Sequence, residues 1–283
     1  MIAFPHCKIN LGLSIVAKRA DGYHELETIF YPVALQDMVE IVHSDQTATD
    51  IQFTHTGLAI PGDESNNLCI KAYHLLKKDF PNLPNIKLHL HKVIPTGAGL
   101  GGGSSDAATV LKALDLTLGT GLSICELESI AASLGSDIPF FIRSSPSLCR
   151  GRGEIVEPLG ILPKANILLV KPPFPVPTAW AYRAYKNKTK TFETFSQWHG
   201  SIELMNDLEE PVFSKYLVLP VLKRWLLDQS GVRCAMMSGS GSTIFAILNE
   251  DVLDLEDRVL AYFGPSFLVR RCQLLGTHHT DHC

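Results

Sequence analysis

Residues 95–108 read Pro95-Thr96-Gly97-Ala98-Gly99-Leu100-Gly101-Gly102-Gly103-Ser104-Ser105-Asp106-Ala107-Ala108, five glycines in seven positions followed by two hydroxyls and a carboxylate. Upstream, Ile86-Lys87-Leu88-His89-Leu90-His91 alternates apolar and polar, the period of a half-buried strand. Downstream, Ala107, Val110, Leu111, Leu114 and Leu118 recur at helical spacing. The glycines therefore lie between a strand and a helix start, where backbone N–H groups lack partners and the helix dipole is positive. Glycine there permits positive φ and lets an anion approach the main chain. The stretch reads as a cradle for the phosphates of a nucleotide.

Other glycine motifs fit less well. Gly97-x-Gly99-x-x-Gly102 formally matches the dinucleotide fingerprint, but the acidic residue expected at the end of a following strand is missing; Asp115 falls inside the predicted helix. No lysine follows the glycines as a P-loop requires, and the Val-Ala-Ile-Lys and His-Arg-Asp partners of the protein-kinase loop are absent. A flexible linker is the remaining alternative, and linkers seldom sit between a clean strand and a clean helix.

The chain has 283 residues, 46% of them hydrophobic and 19% charged, with a net charge of −4. It has the length for one large domain or two smaller ones, and the charge and lack of basic runs disfavour nucleic-acid binding. No apolar stretch reaches the ~18 residues of a membrane helix, and the first residues do not resemble a signal peptide. The seven cysteines are scattered without a C-x-x-C pair, so reduced thiols and a cytoplasmic location are expected. The tail His278-His279-Thr280-Asp281-His282-Cys283 reads as a solvated chain end, with stray metal binding as the alternative.

Strands are expected at Cys7 to Val16, Thr28 to Val33, Met38 to Val42 and Ile51 to His55, and a helix follows the cap at Ser65 or Asn66. Ser123-Ile124-Cys125-Glu126 is a capping box, and Asp137 falls between two helical pieces with its side chain able to point into a cleft. Cys149-Arg150-Gly151-Arg152-Gly153-Glu154 is a second glycine stretch. Loop texture over Val156 to Lys164 places a domain boundary there, giving domains 1–158 and 159–283. Beyond it come a buried strand at Ile167 to Val170, a proline-rich connection, and a short helix capped by Thr178. Lys186 to Ser196 is a polar, mobile stretch; helices follow at Asn206 to Glu209 and Leu217 to Leu227. Two strands around Ser238-Gly239-Ser240-Gly241-Ser242, a helix near Leu253 to Phe263 and a strand at Phe267 to Arg271 close the chain. Mixed strands and helices without strict alternation favour an α+β fold.

Three segments in order, Lys8-Ile9-Asn10-Leu11, the Pro95–Ala108 loop and Ser238-Gly239-Ser240-Gly241, resemble the signature motifs of the GHMP kinase superfamily. Arg19-Ala20-Asp21-Gly22-Tyr23-His24, Leu134 to Phe141 and Asn206-Asp207-Leu208-Glu209 narrow the likeness to members that act on a cytidine-diphosphate-linked methylerythritol. Two positions depart from the wider pattern: Asp106 stands where relatives often have asparagine, and Ala98 where many have glycine.

The resemblance implies a two-lobed fold of mixed sheets with helices on one face, and an active site in the cleft between lobes. It implies transfer of the γ-phosphoryl of ATP, with Mg²⁺, to the 2-hydroxyl of the erythritol in non-mevalonate isoprenoid synthesis, by a monomer or homodimer. Asp137 is then the base and Lys8 its cationic partner. Phosphates would lie along Pro95, Thr96, Gly97, Ala98, Gly99, Leu100, Gly101, Gly102, Gly103, Ser104 and Ser105, with Lys92 and Asn67 bordering the nucleotide; the metal ligands stay open. Tyr23 and Tyr182 would stack on the cytosine, His24 would bond its edge, Asn10 would face the diphosphate or hydroxyl, and Thr178 would contact the cytidine. A mevalonate- or homoserine-type kinase and a non-catalytic binding protein of the same fold are the alternatives; the first has no base for Tyr23 and His24 to hold, and the second predicts loss of Lys8, Asp137 or the glycine loop, all of which are present.

Overall fold

The computed structural model describes residues 1–44, 49–160, 164–186, 205–249 and 252–276. The stretch 187–196 and the histidine-rich tail fall outside them. Three four-stranded sheets organise the rest. The first runs β2-β3-β7-β8, built from β2 (His6–Lys18), β3 (His24–Gln36), β7 (Ser147–Gly151) and β8 (Ile155–Pro158), all antiparallel. The second runs β1-β4-β6-β5, from β1 (Ile2–Ala3), β4 (Met38–His43), β6 (Ile86–Lys92) and β5 (Ile51–Gly57), with β5 parallel to β6 and the other pairs antiparallel. The third runs β10-β11-β9-β12, from β10 (Val232–Met237), β11 (Ile244–Leu248), β9 (Asn166–Lys171) and β12 (Leu268–Gln273), again antiparallel.

Helices α1 (Leu68–Asp79), α2 (Gly102–Leu118), α3 (Ile124–Leu134) and α4 (Ile138–Arg143) share a core with the second sheet, where Leu111, Ala72 and Phe140 meet Leu88 and Ile41. Helices α5 (Thr178–Ala184), α6 (Glu209–Lys215), α7 (Val218–Leu227) and α8 (Leu255–Phe263) share another with the third sheet, where Leu222 and Val259 meet Ala246 and Leu168.

Strand β2 shows how alternation positions chemistry. Cys7, Ile9 and Leu11 face a third core with Ile29, Tyr31 and Val33 of β3 and Ile167, Leu169 and Phe245 of the third sheet. Because successive strand side chains oppose each other, Lys8 and Asn10 of β2 and Thr28 and Phe30 of β3 point the other way. A bulge at Gly12 (φ 82°) breaks the register between Leu11 and Leu13, and Leu13 and Ile15 join the core of α5–α8 instead. Strand β9 is buried on both faces, Ile167 and Leu169 in one core and Leu168 and Val170 in another. That explains its unbroken apolar run.

Several local expectations change. Asn67, rather than Ser65 or Asn66, caps α1, and of Asn206 to Glu209, read as helix, only Glu209 is helical, Asn206 instead bridging to Leu13. Residues 156–158, read as loop, belong to β8 (Ile155–Pro158), which pairs with β7 across the glycine turn; only Val156 of this short strand packs inward. Thr178 does not cap α5. Pro177 holds the cap position and Thr178 is the first helical residue, so its hydroxyl is free to bond Ser240 Oγ at 2.9 Å. The Ser123–Glu126 capping box forms as read.

Candidate active site

The glycine loop joins β6 to α2. Gly97, Gly99 and Gly101 have φ of 62°, 77° and 69°, the left-handed region that other residues enter at a cost. Space is equally restrictive: a Cβ on Gly101 would stand 2.9 Å from Phe141 Cζ and 3.2 Å from Lys8 Cε, and one on Gly99 would strike the Ser238 carbonyl. Bonds from distant segments fix the loop. Lys8 N donates to Leu100 O at 2.9 Å and Ser238 Oγ to Gly99 O at 2.8 Å, while Asn10 N donates to Ser238 Oγ at 3.2 Å. Asn206 Nδ2 bonds the carbonyls of Met237 and Gly239 at 2.7 and 2.8 Å. The three glycine- and lysine-bearing motifs are thus one hydrogen-bonded unit.

On the polar face of β2, the Lys8 ammonium donates to Asn10 Oδ1 at 2.7 Å, lies 3.3 Å from Asp137 Oδ2, and sits 4.2 Å from the Phe30 ring centroid. Asn10 Nδ2 donates to Thr28 Oγ1 at 2.9 Å, and Thr28 in turn donates to Gly12 O at 2.5 Å. This relay orients the Asn10 amide so that its oxygen, not its nitrogen, meets the ammonium. Lys8 is 3% exposed, so its charge depends on these partners. Asp137 occupies the cap position of α4 without bonding a helix N–H. Its carboxylate, one-third exposed, remains available.

These groups open into a cavity of about 780 Å³. Lys8, Asn10 and Asp137 line it, as do Pro95 to Gly99 and Gly101 to Ser104 of the loop. Leu100 and Ser105 are buried and lie outside the lining, with Ser105 N bonded to Gly101 O. At the other end the wall is Tyr23, His24, Thr178 and Tyr182. His24 stacks on Tyr182 at 5.6 Å and 22°, and Tyr23 is 56% exposed. Burial, with a smaller push from Lys18, lowers the His24 pKa below its usual value and favours the neutral ring. Burial, then Asp137, raises that of Tyr182.

A second cavity of about 330 Å³ holds Asn67 and Lys92, and shares Leu68, Thr96 and Gly103 with the first. Asn67 caps α1, its Oδ1 accepting from Cys69 N at 2.9 Å. Lys92 is buried between Asp37 Oδ2 at 2.5 Å and Asp106 Oδ2 at 2.7 Å. Asp37 Oδ1 also accepts from Val93 N and Ile94 N, so the triad ties both ends of the loop to the residue that follows β3. Burial, countered by Lys92 and reinforced by Asp37, pushes the Asp106 carboxyl up to about 7, and Asp106 Oδ1 is buried without a partner. Sequence reasoning gave Thr28, Phe30, Asp37, Ser240 and Asn206 no role of their own. For Thr28 and Phe30 a signal existed: both lie two residues apart on the predicted strand Thr28 to Val33, and so share one face. Asp37 sits at a strand end with no local mark of its partner.

Comparison with known proteins gives the same outline. The GHMP kinases N terminal domain matches residues 67–145 and the GHMP kinases C terminal domain matches 189–263. The chain is 42% identical over 280 residues to the 4-diphosphocytidyl-2-C-methyl-D-erythritol kinase of Methylacidiphilum infernorum, covering 96% of each chain. It is 43% identical over 258 residues to the enzyme of that name from Cytophaga hutchinsonii, covering 88% of this chain and 93% of the other. A crystal structure of 4-(cytidine 5'-diphospho)-2C-methyl-D-erythritol kinase superposes with a TM-score of 0.77 at 30% identity, covering 97% of this chain and 99% of that one. The homoserine kinase of Cytophaga hutchinsonii, 15% identical with a TM-score of 0.68 over 96% and 95% of the two chains, shares the fold. The chain belongs to the GHMP kinases, in the family of the 4-diphosphocytidyl-2-C-methyl-D-erythritol kinases.

Proposed function

We propose that this protein transfers the γ-phosphoryl group of ATP to the 2-hydroxyl of 4-diphosphocytidyl-2-C-methyl-D-erythritol, a step of non-mevalonate isoprenoid synthesis. The observation that carries the reading is one cavity walled by the Lys8–Asp137 pair, the glycine loop and the Tyr23–His24–Tyr182 group. The aromatic end suits a pyrimidine, since rings bind a base face and His24 supplies an edge partner. Thr178 stands beside it, and Asn10 beside the alcohol. A mevalonate- or homoserine-type substrate has no base for that end to hold.

ATP would place its triphosphate along the loop, with the Ser104 hydroxyl and backbone donors between Thr96 and Gly103 facing it, and its nucleoside in the second cavity beside Asn67 and Lys92. Positive φ at Gly97, Gly99 and Gly101 gives the loop a backbone conformation that can present N–H groups to phosphate. Among the described residues no group of three His, Cys, Asp or Glu side chains stands ready to hold a metal. The donors fit a Mg²⁺ held chiefly by nucleotide oxygens and water, with the Ser104 hydroxyl at hand. When bound, it would neutralise phosphate charge.

Asp137 accepts the proton of the 2-hydroxyl as that oxygen bonds the γ-phosphorus; the bond from the γ-phosphorus to the β,γ-bridging oxygen breaks and ADP leaves. Phosphoryl transfer has a loose transition state, so an ordinary carboxylate that positions the hydroxyl is adequate. Lys8 steadies the Asp137 carboxylate and offsets charge on the transferred group. The walls of the site come from one chain, which would act alone or in a homodimer. A division into domains 1–158 and 159–283 is supported by the sheets: strands up to Pro158 build the first two, and those from Asn166 build the third. A cytoplasmic location accords with the free thiols of the six described cysteines.

Phosphorylation of the cytidylyl substrate by wild type and by Asp137→Ala tests the mechanism. We expect turnover to fall roughly 10³-fold or more with ATP binding kept. Wild-type rates in the variant would remove Asp137 from the reaction, and activity on mevalonate alone would remove the substrate.

A further inference from the structure

The turn between β7 and β8 carries a glycine motif that the reaction above leaves unused: Arg150-Gly151-Arg152-Gly153-Glu154. Gly151 and Gly153 have φ of 72° and 118°, so two of three successive positions in the turn take left-handed backbone that glycine alone adopts freely. Its main chain is pinned. Gly151 N donates to Glu25 Oε1 at 3.0 Å, Arg152 N to Glu154 Oε2 at 2.5 Å, and Gly153 N to Arg150 O at 3.0 Å.

The two arginines of the turn differ. Arg150 is satisfied on the sheet face by Glu27 at 3.0 Å and Glu157 at 2.5 Å. Arg152 lines the large cavity, with its guanidinium carbon 4.9 Å from the Tyr23 ring centroid and Glu154 as a looser partner at 3.6 Å. The next residue reaches the other end of the site, since a Cβ on Gly153 would stand 3.6 Å from Asp137 Oδ1. One rigid turn thus spans the interval between the aromatic wall and the proton acceptor.

We infer that Arg152 binds the diphosphate that joins the substrate's cytidine to its alcohol, an inference that rests on the substrate proposed above. With the base against Tyr23 and the hydroxyl at Asp137, the diphosphate must pass between them, beside Arg152. A guanidinium offers parallel N–H donors that match two phosphate oxygens, and its flat face can remain on the Tyr23 ring while its edge bonds the anion. Charge points the same way. The cavity receives a second polyphosphate on the glycine loop, and Lys8 is already engaged by Asp137 and Asn10. The substrate's own diphosphate therefore needs a separate cation, and Arg152 lines the cavity with only the looser Glu154 pair at 3.6 Å.

The test is calorimetric titration of the full-length protein with CDP and with cytidine, in wild type, Arg152→Ala and Arg152→Lys, together with the KM for ATP. Loss of charge-assisted bonds is expected to weaken CDP binding by roughly 10- to 100-fold in Arg152→Ala. Cytidine affinity and the KM for ATP should not change, and Arg152→Lys should recover part of the loss. Equal CDP affinity in wild type and both variants overturns the inference while leaving the substrate reading intact. An equal loss for CDP and cytidine also overturns it, by making Arg152 only a prop for Tyr23. A wild-type protein that binds neither compound overturns the substrate reading and this inference with it. Should Arg152→Ala fail to fold, the lysine variant decides: a selective loss of CDP supports the inference, and wild-type affinity for both compounds overturns it.

Discussion

At the scale of single residues, burial makes charge dependent on partners. Lys8 is surrounded by an amide oxygen, a carboxylate and a ring face, so its ammonium is oriented before any substrate arrives. Asp106 is the opposite case, a carboxyl that shares Lys92 with Asp37 and has one oxygen unpartnered. Its pKa is raised to about 7, whereas an unfolded aspartate titrates near ~3.9. Between about pH 4 and 7 the folded chain therefore holds a proton that the unfolded chain has released. This group's contribution to stability is greatest below that window and is lost as pH rises through it. Asp106→Asn should flatten that decline, read as the difference in urea midpoint between pH 5 and pH 7.5 in the two proteins. Equal pH slopes would show that Asp106 does not titrate there.

Within elements, the glycine loop illustrates two separate demands on one residue type. Gly99 needs both a left-handed backbone, at φ 77°, and empty space where the Ser238 carbonyl closes on it. Gly119, at the end of α2, has φ 60° and open space, with nothing within 4 Å of where a Cβ would stand, so only the backbone demand applies. Gly119→Ala should cost about 1–2 kcal/mol of stability with normal ATP affinity. Gly99→Ala should cost more and also weaken ATP binding, because the Ser238 contact must open and the loop must shift. Thermal melting with and without ATP separates the two; parallel behaviour of both variants would refute the distinction. The loop was legible from residues 95–108 because glycine's backbone freedom is written locally. The identity of the segment that closes against it was not, because Ser238 approaches from far along the chain.

The whole molecule is held by a core that takes residues from both ends of the chain. Ile9, Ile29 and Tyr31 from the first sheet pack with Ile167, Leu169 and Phe245 from the third. The two halves should therefore unfold together, giving one urea transition by fluorescence and by circular dichroism. Leu169→Ala should lower stability by about 2–5 kcal/mol while that transition stays single. Two separated transitions in wild type would mean that the halves are independently stable and the shared core is weak.

From the sequence alone came the strand–loop–helix around the glycines, the capping box at Ser123, the strand that holds Lys8 and Asn10, and the place of Asp137 between two helical pieces, with family likeness selecting Lys8 and Asp137 and supplying their roles. Periodicity, capping and positive φ are requirements of neighbouring residues, so neighbouring residues encode them. The tertiary structure alone decided that Lys8 stands 3.3 Å from Asp137, that Asn10 is turned by Thr28, that Lys92 is enclosed by two aspartates, and that Arg152 lies over Tyr23. Those contacts join residues far apart in the chain, and their geometry follows from which faces three sheets bury against one another.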